Sequence, residues 1–355
     1  MDFQELVKRA EARLFIIGEV GVNHNGDLQT AKKLVDVAKD AGCDAVKFQT
    51  WITERVYSKS LSIKPEYQLR TTDQKESEFD TIKKLELTFD DFRELKKYCG
   101  KKEILFFSTP DEIESADFLV NLGVPMLKTA SQDVTNLPFL RYIAETGLPV
   151  IFSSGACTAA ELNEAIDTIY RINKKLVILH CLSAYPAPIE ELNLNVLGHL
   201  RQKYNCPIGF SDHTTGVEAA CAAVALGARF FEKHLTYDTK APGPDHQASL
   251  DPFALTSYVS TLRKVFKALG DGEKKIMPSE VNTRKAFRRF LVTKTLIKKG
   301  HIFTEGDFLF KKTTQGIAPA EISDIIGKKA FVDIPEDVPL EWRYIDAEIK
   351  NRNQN

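Results

Sequence analysis

From residue 14 to about residue 270 the chain repeats one pattern: a short apolar run, a polar turn, then a longer stretch with apolar residues at helical spacing. Eight runs have strand length: Leu14–Gly18, Ala45–Gln49, Ile104–Ser108, Pro125–Lys128, Pro149–Ser153, Leu176–Cys181, Pro207–Ser211 and Arg229–His234. The intervening stretches, such as Leu28–Ala41 and Ala159–Ile172, carry the spacing of amphipathic helices. Strand and helix in regular alternation build parallel βα units. Eight such units close more readily into a (β/α)8 TIM barrel than into an open doubly wound sheet, so an α/β barrel is the expected fold.

Polar residues gather where these runs end: Glu19, Lys47 with Gln49, Ser108 with Thr109, Lys128, Ser153 with Ser154, Cys181 with Ser183, Ser211 with His213, and Glu232 with His234. A barrel assembles its active site from those ends and the loops after them, although a strand end is also simply where water begins. Alternation along a strand points Ser211 and His213 one way, and likewise Glu232 and His234. Either histidine alone reads as a hydrogen-bonding group at a strand end. As a pair on consecutive strands they favour a site that holds a divalent metal. Lys47 and Lys128 lie within apolar runs, so each ammonium must snorkel or meet an anion. With Thr109, Ser131, Ser153 and Ser211 as hydroxyl donors they make a cradle for phosphate or carboxylate.

Two irregular stretches follow strands. Trp51–Leu87 is rich in Lys, Glu, Ser and Thr with little regular pattern, and is expected to be a lid or substrate loop. Ala241–Leu250 is a stiff Pro-Gly turn that brings Asp245 and His246 toward the same mouth, unless it merely faces solvent. Past Leu269 the pattern breaks at Gly-Asp-Gly-Glu-Lys-Lys, followed by a basic run, Arg284–Arg289. Strand-like pieces then occur at Phe290–Lys294, Phe308–Lys312 and Lys329–Ile334. The expected division is a barrel over 1–272, a linker over 273–287 and a second domain over 288–355. At roughly 60 residues that second domain has a marginal core and should lean on a neighbour, a partner subunit being the obvious one.

Charge narrows the function. With 48 basic against 49 acidic residues the chain has no footprint for nucleic acid or an anionic membrane, leaving small molecules as partners. No stretch approaches the roughly 20 apolar residues of a membrane helix, and Met1–Arg13 is charged rather than signal-like, so a cytoplasmic protein is expected. Six cysteines show no paired metal-ligand spacing and read as reduced thiols.

Several segments in order resemble the sialic acid synthase family, whose members condense phosphoenolpyruvate with an N-acetylated amino sugar. They are Phe-Ile-Ile-Gly-Glu-Val-Gly-Val-Asn-His-Asn-Gly-Asp from Phe15, Ala-Gly-Cys-Asp-Ala-Val-Lys-Phe-Gln-Thr from Ala41, His-Cys-Leu-Ser-Ala-Tyr-Pro-Ala-Pro from His180, Gly-Phe-Ser-Asp-His-Thr from Gly209, Glu-Lys-His from Glu232, and Pro-Gly-Pro-Asp-His from Pro242. The segment from Leu296, Leu-Ile-Lys-Lys-Gly-His-Ile-Phe-Thr-Glu-Gly-Asp-Phe, resembles the family's antifreeze-like (SAF) domain, a small β-clip. The resemblance implies a domain-swapped homodimer in which each tail covers the partner's active site. It also implies His213 and His234 as ligands of a divalent metal, manganese first, with magnesium or cobalt as alternatives. Lys47, Thr109, Lys128, Ser131, Ser153 and Ser211 would surround phosphoenolpyruvate. Glu19 and Asp245 would stand near the reacting carbonyl, and Gln49 and Tyr185 would line the sugar pocket.

The implied activity is N-acetylneuraminate synthesis from N-acetylmannosamine. The alternatives are legionaminate or pseudaminate synthesis from a 2,4-diacetamido-trideoxy hexose, condensation with an aldose phosphate, and a silent carbohydrate-binding scaffold. Departures fall around the pocket. The family's Lys-Arg-Pro-Gly becomes Lys311-Lys312-Thr313-Thr314, which puts Lys312 where an arginine meets the N-acyl group. Its Thr-Pro-Phe becomes Thr109-Pro110-Asp111, its Ser-Gly-Glu becomes Ser131-Gln132-Asp133, and its Ser-Thr-Gly-Met becomes Ser153-Ser154-Gly155-Ala156. Lysine keeps the charge of arginine and loses its planar fork, so the acceptor is the open part of the assignment.

Overall fold

A computed structural model describes residues 2–61 and 63–345. Contacts divide the chain into two compact units, meeting between Asp271 and Gly272. The first is the expected TIM barrel. Its strands are β1 (Phe15–Gly21), β2 (Ala45–Thr50), β3 (Leu105–Pro110), β4 (Leu127–Thr129), β5 (Val150–Ser153), β6 (Leu176–Cys181), β7 (Ile208–Asp212) and β8 (Phe230–His234). All neighbours are parallel, and β1 closes the ring on β8 from Phe15↔Phe230 to Glu19↔His234. These strands are buried on both faces, which is why they read as nearly continuous apolar runs.

The helices form because their apolar residues fall on one side and their first turns are capped. Leu28–Asp40 buries Ala31, Leu34, Val35 and Ala38, and Asp27 caps it by accepting from Thr30 N at 2.6 Å. Thr158 and Glu161 make a capping box for Ala159–Ile172. The first helix, Phe3–Arg13, buries Leu6 and Ala10 against the barrel and brings Arg9 and Arg13 to Asp44. Arg263 reaches the same fully buried carboxylate at 2.8 Å, and Ile16 N donates to it at 3.0 Å. Three arginines from the two ends of the barrel sequence therefore neutralise one buried charge, which fastens the closing helix to the first strand.

The stretch Trp51–Leu87 is more regular than its composition suggests, with helices at Thr53–Val56, Glu66–Thr71 and Glu78–Leu85. The last buries Phe79, Ile82 and Leu85, three apolar residues three apart, and is capped by Ser77. Ile82 and Leu85 pack with Val22 and Trp51 in a small cluster apart from the main core. Sequence reading missed this helix because its single apolar stripe lies among charged residues.

The second unit pairs β9 (Arg289–Thr293) with β10 (Phe308–Lys312) antiparallel. Lys329–Ile334 is not the continuous strand its residues suggest: it contributes isolated bridges, Ile302 to Lys329 and Ile297 to Ile334. Leu291, Ile297, Phe303, Phe308, Ile317, Ile325, Ile334 and Leu340 form this unit's own core. Ahead of β9, Val281–Phe287 is helical rather than open linker. Among the described residues no helix is long and apolar enough to cross a membrane. All six cysteines are free thiols.

Candidate active site

A cleft of about 790 Å³ opens at the carboxyl ends of the barrel strands. Its lining includes Glu19, Lys47, Gln49, Thr109, Lys128, Ser131, Ser153, Tyr185, Ser211, His213, His234 and Asp245, which are the barrel residues singled out from the sequence. Strand register explains the convergence. Glu19 lies beside Lys47 on one side and His234 on the other, Gln49 beside Thr109, and Ser211 beside Glu232.

One side of the cleft is built for an anion. Lys128 is buried at 2 % exposure, and its Nζ donates to Ser153 Oγ at 2.6 Å and Thr129 O at 2.7 Å. It has no ion-pair partner among the described residues, and burial leads the causes that lower its pKa. A buried ammonium hydrogen-bonded only to neutral oxygens, with Glu232 offsetting its charge through space, is a seat for a negative ligand. Lys47 differs: its Nζ lies 3.0 Å from Glu19 Oε1, 3.7 Å from Glu232 Oε2, and donates to Thr109 Oγ1 at 2.9 Å. Burial opposes its charge, but Glu19 and Glu232 raise its pKa. Ser131 Oγ accepts from Gly155 N at 3.0 Å, and Ser211 Oγ donates to Glu232 Oε1 at 3.0 Å.

The carboxylates divide by surroundings. Burial pushes Glu19 up to about 7 although Lys47 pulls against it, and pushes Asp245 up to about 6. Glu232, equally buried, is held down to about 2 because Lys47, Lys128 and His234 outweigh its desolvation. Glu19 therefore exchanges a proton near neutral pH while Glu232 stays ionised. Glu232 carries the same strand-end signal as His234, two residues on, and belongs with the site residues.

The two imidazoles stand with ring centroids 5.4 Å apart. His213 Nδ1 donates to Leu182 O at 2.8 Å and its Nε2 lies 3.5 Å from Ser211 Oγ, so in the neutral ring the lone pair is on Nε2. His234 Nδ1 is buried without a hydrogen-bond partner and lies 3.9 Å from Asp245 Oδ2. Among the described residues no three His, Cys, Asp or Glu side chains gather as a complete metal cage. Two imidazole nitrogens with available lone pairs, one of them orphaned, nevertheless fit a divalent ion that takes its other ligands from water and substrate. Tyr185 packs on His213 at 4.1 Å and on Tyr67 at 5.0 Å, giving the mouth an aromatic wall.

One expected participant lies elsewhere. His246 does not line the cleft: it is fully buried, with Nδ1 2.6 Å from Thr236 Oγ1 and Nε2 3.2 Å from Asn25 Oδ1. Its ring is held by loop contacts, so only its neighbour Asp245 faces the mouth. Lys312 is exposed on β10 of the second unit, with Nζ 4.6 Å from the Phe287 ring.

The departure at Asp111 does enter the cleft. Its half-buried carboxyl is pushed up to about 8, first by desolvation and then by Asp133, while Lys47 opposes. An unfolded Asp titrates near 4. Between those values the folded state holds the extra proton, so stability falls as pH rises from about 4 to about 8. Asp111→Asn is accordingly expected to melt higher relative to the unaltered chain as pH is raised from 5 to 9. Parallel melting curves against pH would show that Asp111 is ordinarily ionised.

Fold and site together define a barrel protein whose strand ends gather a buried lysine without an ion pair, a carboxyl with a raised pKa and two histidines. The NeuB family profile matches residues 34–274 and the SAF domain profile matches residues 288–343, and the chain belongs to the NeuB family. It is 41 % identical to an N,N'-diacetyllegionaminic acid synthase of Campylobacter jejuni, covering 92 % of this chain and 98 % of that one. Identity to the N,N'-diacetyllegionaminic acid synthase of Legionella pneumophila is 39 %, over 94 % and 95 % of the two chains. The crystal structure of an N-acetylneuraminic acid (sialic acid) synthetase from Leptospira borgpetersenii superposes with a TM-score of 0.69 at 34 % identity, covering 78 % and 93 %. The resemblance read from the motifs is thus borne out, and the chain is a synthase of this family.

Proposed function

We propose that the protein joins phosphoenolpyruvate to the open-chain aldehyde of an acetamido sugar, giving a nine-carbon 2-keto acid and phosphate. The observation that carries this reading is the buried, ion-unpaired Lys128 among Ser131, Ser153 and Thr109, next to the Lys47–Glu19 pair. Lys128, Lys47 and the hydroxyls would hold the phosphate and carboxylate, fixing the enol face toward the aldehyde. The methylene carbon attacks the aldehyde carbon, a C–C bond forms, and the aldehyde oxygen takes a proton. The positive charge left at C2 is stabilised by ionised Glu232 and the substrate's own carboxylate. Water then adds to C2, loses a proton, and the C2–O bond to phosphate breaks. Glu19, with its carboxyl near neutrality, suits the proton transfers at the alkoxide or the water. His213 and His234 would hold a divalent cation, first manganese, and when bound it would supply Lewis-acid polarisation of the acceptor's carbonyl oxygen.

Of the two acetamido sugars named from the sequence, a 2,4-diacetamido-trideoxy hexose is favoured over N-acetylmannosamine. Identity is higher to the two legionaminic acid synthases, 41 % and 39 %, than to the sialic acid synthetase, 34 %. Asp111, Gln49 and Tyr57 also line the cleft, polar groups suited to a second amide. Phosphate release from phosphoenolpyruvate, followed with each sugar, is expected to be faster with the diacetamido hexose, to stop with chelator and to return with manganese. Faster turnover with N-acetylmannosamine would move the product to N-acetylneuraminate. Turnover indifferent to chelator would remove the metal from the account.

A homodimer belongs to the same reading. Ile276, Met277, Val281 and Phe287 are exposed at 47, 49, 42 and 64 % along one short segment ahead of β9, an apolar surface that a second copy would cover. The expected solution mass is about twice the 39.9 kDa of one chain. A monomer at micromolar concentration would contradict this.

A further inference from the structure

The turn after β1 and the loop after β8 are tied by a set of hydrogen bonds that the chemistry above does not use. Asn23 is fully buried, and its Nδ2 donates to Leu235 O and to Ser249 Oγ, each at 2.8 Å. Ser249 Oγ donates onward to the backbone oxygen of Asp245 at 2.6 Å. Two residues along, Asn25 Nδ2 donates to Pro242 O at 3.1 Å, and Asn25 Oδ1 lies 3.2 Å from His246 Nε2. On the ring's other side His246 Nδ1 lies 2.6 Å from Thr236 Oγ1, whose hydroxyl donates to Asp238 O at 3.0 Å, so the ring is held from both edges. Burial lowers the His246 pKa to about 4, which keeps the ring neutral in that arrangement.

The backbone leaves this tie little room to shift. Asn25 sits at φ +51°, a left-handed conformation that asparagine tolerates, and Gly26 follows at φ +72°. A Cβ on Gly26 would stand 2.2 Å from Lys84 O. On the other side Gly243 has φ +148°, and a Cβ there would lie 2.8 Å from the His246 ring and 3.0 Å from Asn25 Oδ1. The turn at Gly243 is thus shaped around the Asn25–His246 contact, while Gly26 fits the first loop closely against Lys84. The residue they frame is Asp245, whose backbone oxygen the relay grips and whose carboxyl faces the cleft beside His234.

We propose that Asn23 and Asn25 are positioning residues that hold the 236–250 loop so that Asp245 presents its carboxyl to the acceptor sugar. This rests on the function proposed above, and it assigns the tie to the aldehyde substrate rather than to the anionic one. None of its hydrogen bonds involves Lys47, Lys128, Thr109, Ser131 or Ser153. A small displacement of a positioned group costs about tenfold or more in rate.

The test is steady-state kinetics of Asn23→Ala, Ser249→Ala, the double variant and Asn25→Ala, varying each substrate in turn. The expected result for each is a fall of roughly tenfold or more in kcat/KM for the acceptor, with KM for phosphoenolpyruvate within about twofold. Asn23 and Ser249 act through one relay, so the double variant should be little worse than either single one. Asn25 is half-buried, and Asn25→Ala keeps the test decisive if Asn23→Ala does not fold. Equal changes for both substrates, or a lower melting temperature with unchanged kinetics, would overturn the inference. Absence of turnover by the unaltered chain would instead bring down the proposed function, and this inference with it.

Discussion

Lys128→Met is expected to lower kcat/KM for phosphoenolpyruvate by roughly 10²–10³-fold, the effect of removing one preorganised charge from an anion site. The same substitution should leave the melting temperature unchanged or raise it. Activity and stability part company because of how Lys128 is buried. Its ammonium sits at 2 % exposure on two neutral oxygens, with no carboxylate in ion-pair contact among the described residues. Without ligand its desolvation outweighs the through-space attraction of Glu232, and methionine of similar length removes the charge and keeps the packing. A structural lysine would behave in the opposite way, with Lys128→Met losing stability and keeping activity. Thermal melting and initial rates on one preparation separate the two cases.

The largest loss of stability is expected from Asp212→Ala, about 3–5 kcal/mol, the range for breaking a buried ion pair from one side. Asp212 and Lys233 are both fully buried and 3.3 Å apart. They occupy the alternate positions of β7 and β8, so they face the helices while Ser211, His213, Glu232 and His234 face the cleft. Asp212 also accepts from Thr214 N at 2.9 Å, Thr214 Oγ1 at 2.7 Å and Tyr258 Oη at 3.0 Å, and Lys233 Nζ reaches Thr214 O. Alanine would strand the ammonium in the wall that supports both histidines. Removing both charges together, Asp212→Ala with Lys233→Met, is expected to recover much of the loss, because no buried charge is then left alone. Urea denaturation of the single and double variants checks this, and a double variant no more stable than Asp212→Ala would contradict it.

The barrel was legible because its strands are buried on both faces and its helices on one. Leu176–Cys181 and Ala159–Ile172 were bounded correctly from periodicity alone, and most other strands shifted by one to three residues. The convergence of twelve chosen side chains on one cleft follows from the rule that parallel strands in a closed barrel present their carboxyl ends together. What stayed hidden depends on pairings across long sequence separations. The helix Glu78–Leu85 shows its stripe only once Val22 and Trp51 are known to lie opposite. His246 looked like a mouth residue because proximity to Asp245 in sequence says nothing about which way a loop residue turns, and Asn25, 221 positions away, decides it. Glu232 had the right signal and was passed over beside the two histidines. Asp111 was noticed as a departure, but its place in the cleft and its raised pKa come from Asp133 and burial, neither visible along the chain.

The most direct test is to incubate the protein with phosphoenolpyruvate, manganese and a diacetamido hexose in ¹⁸O-labelled water, and to weigh both products. The condensation predicts one nine-carbon keto acid per phosphate, with the phosphate unlabelled because the C2–O bond breaks and phosphorus keeps its oxygens. Labelled phosphate, or phosphate released without a new carbon–carbon bond, would contradict the assignment of this cleft to the condensation.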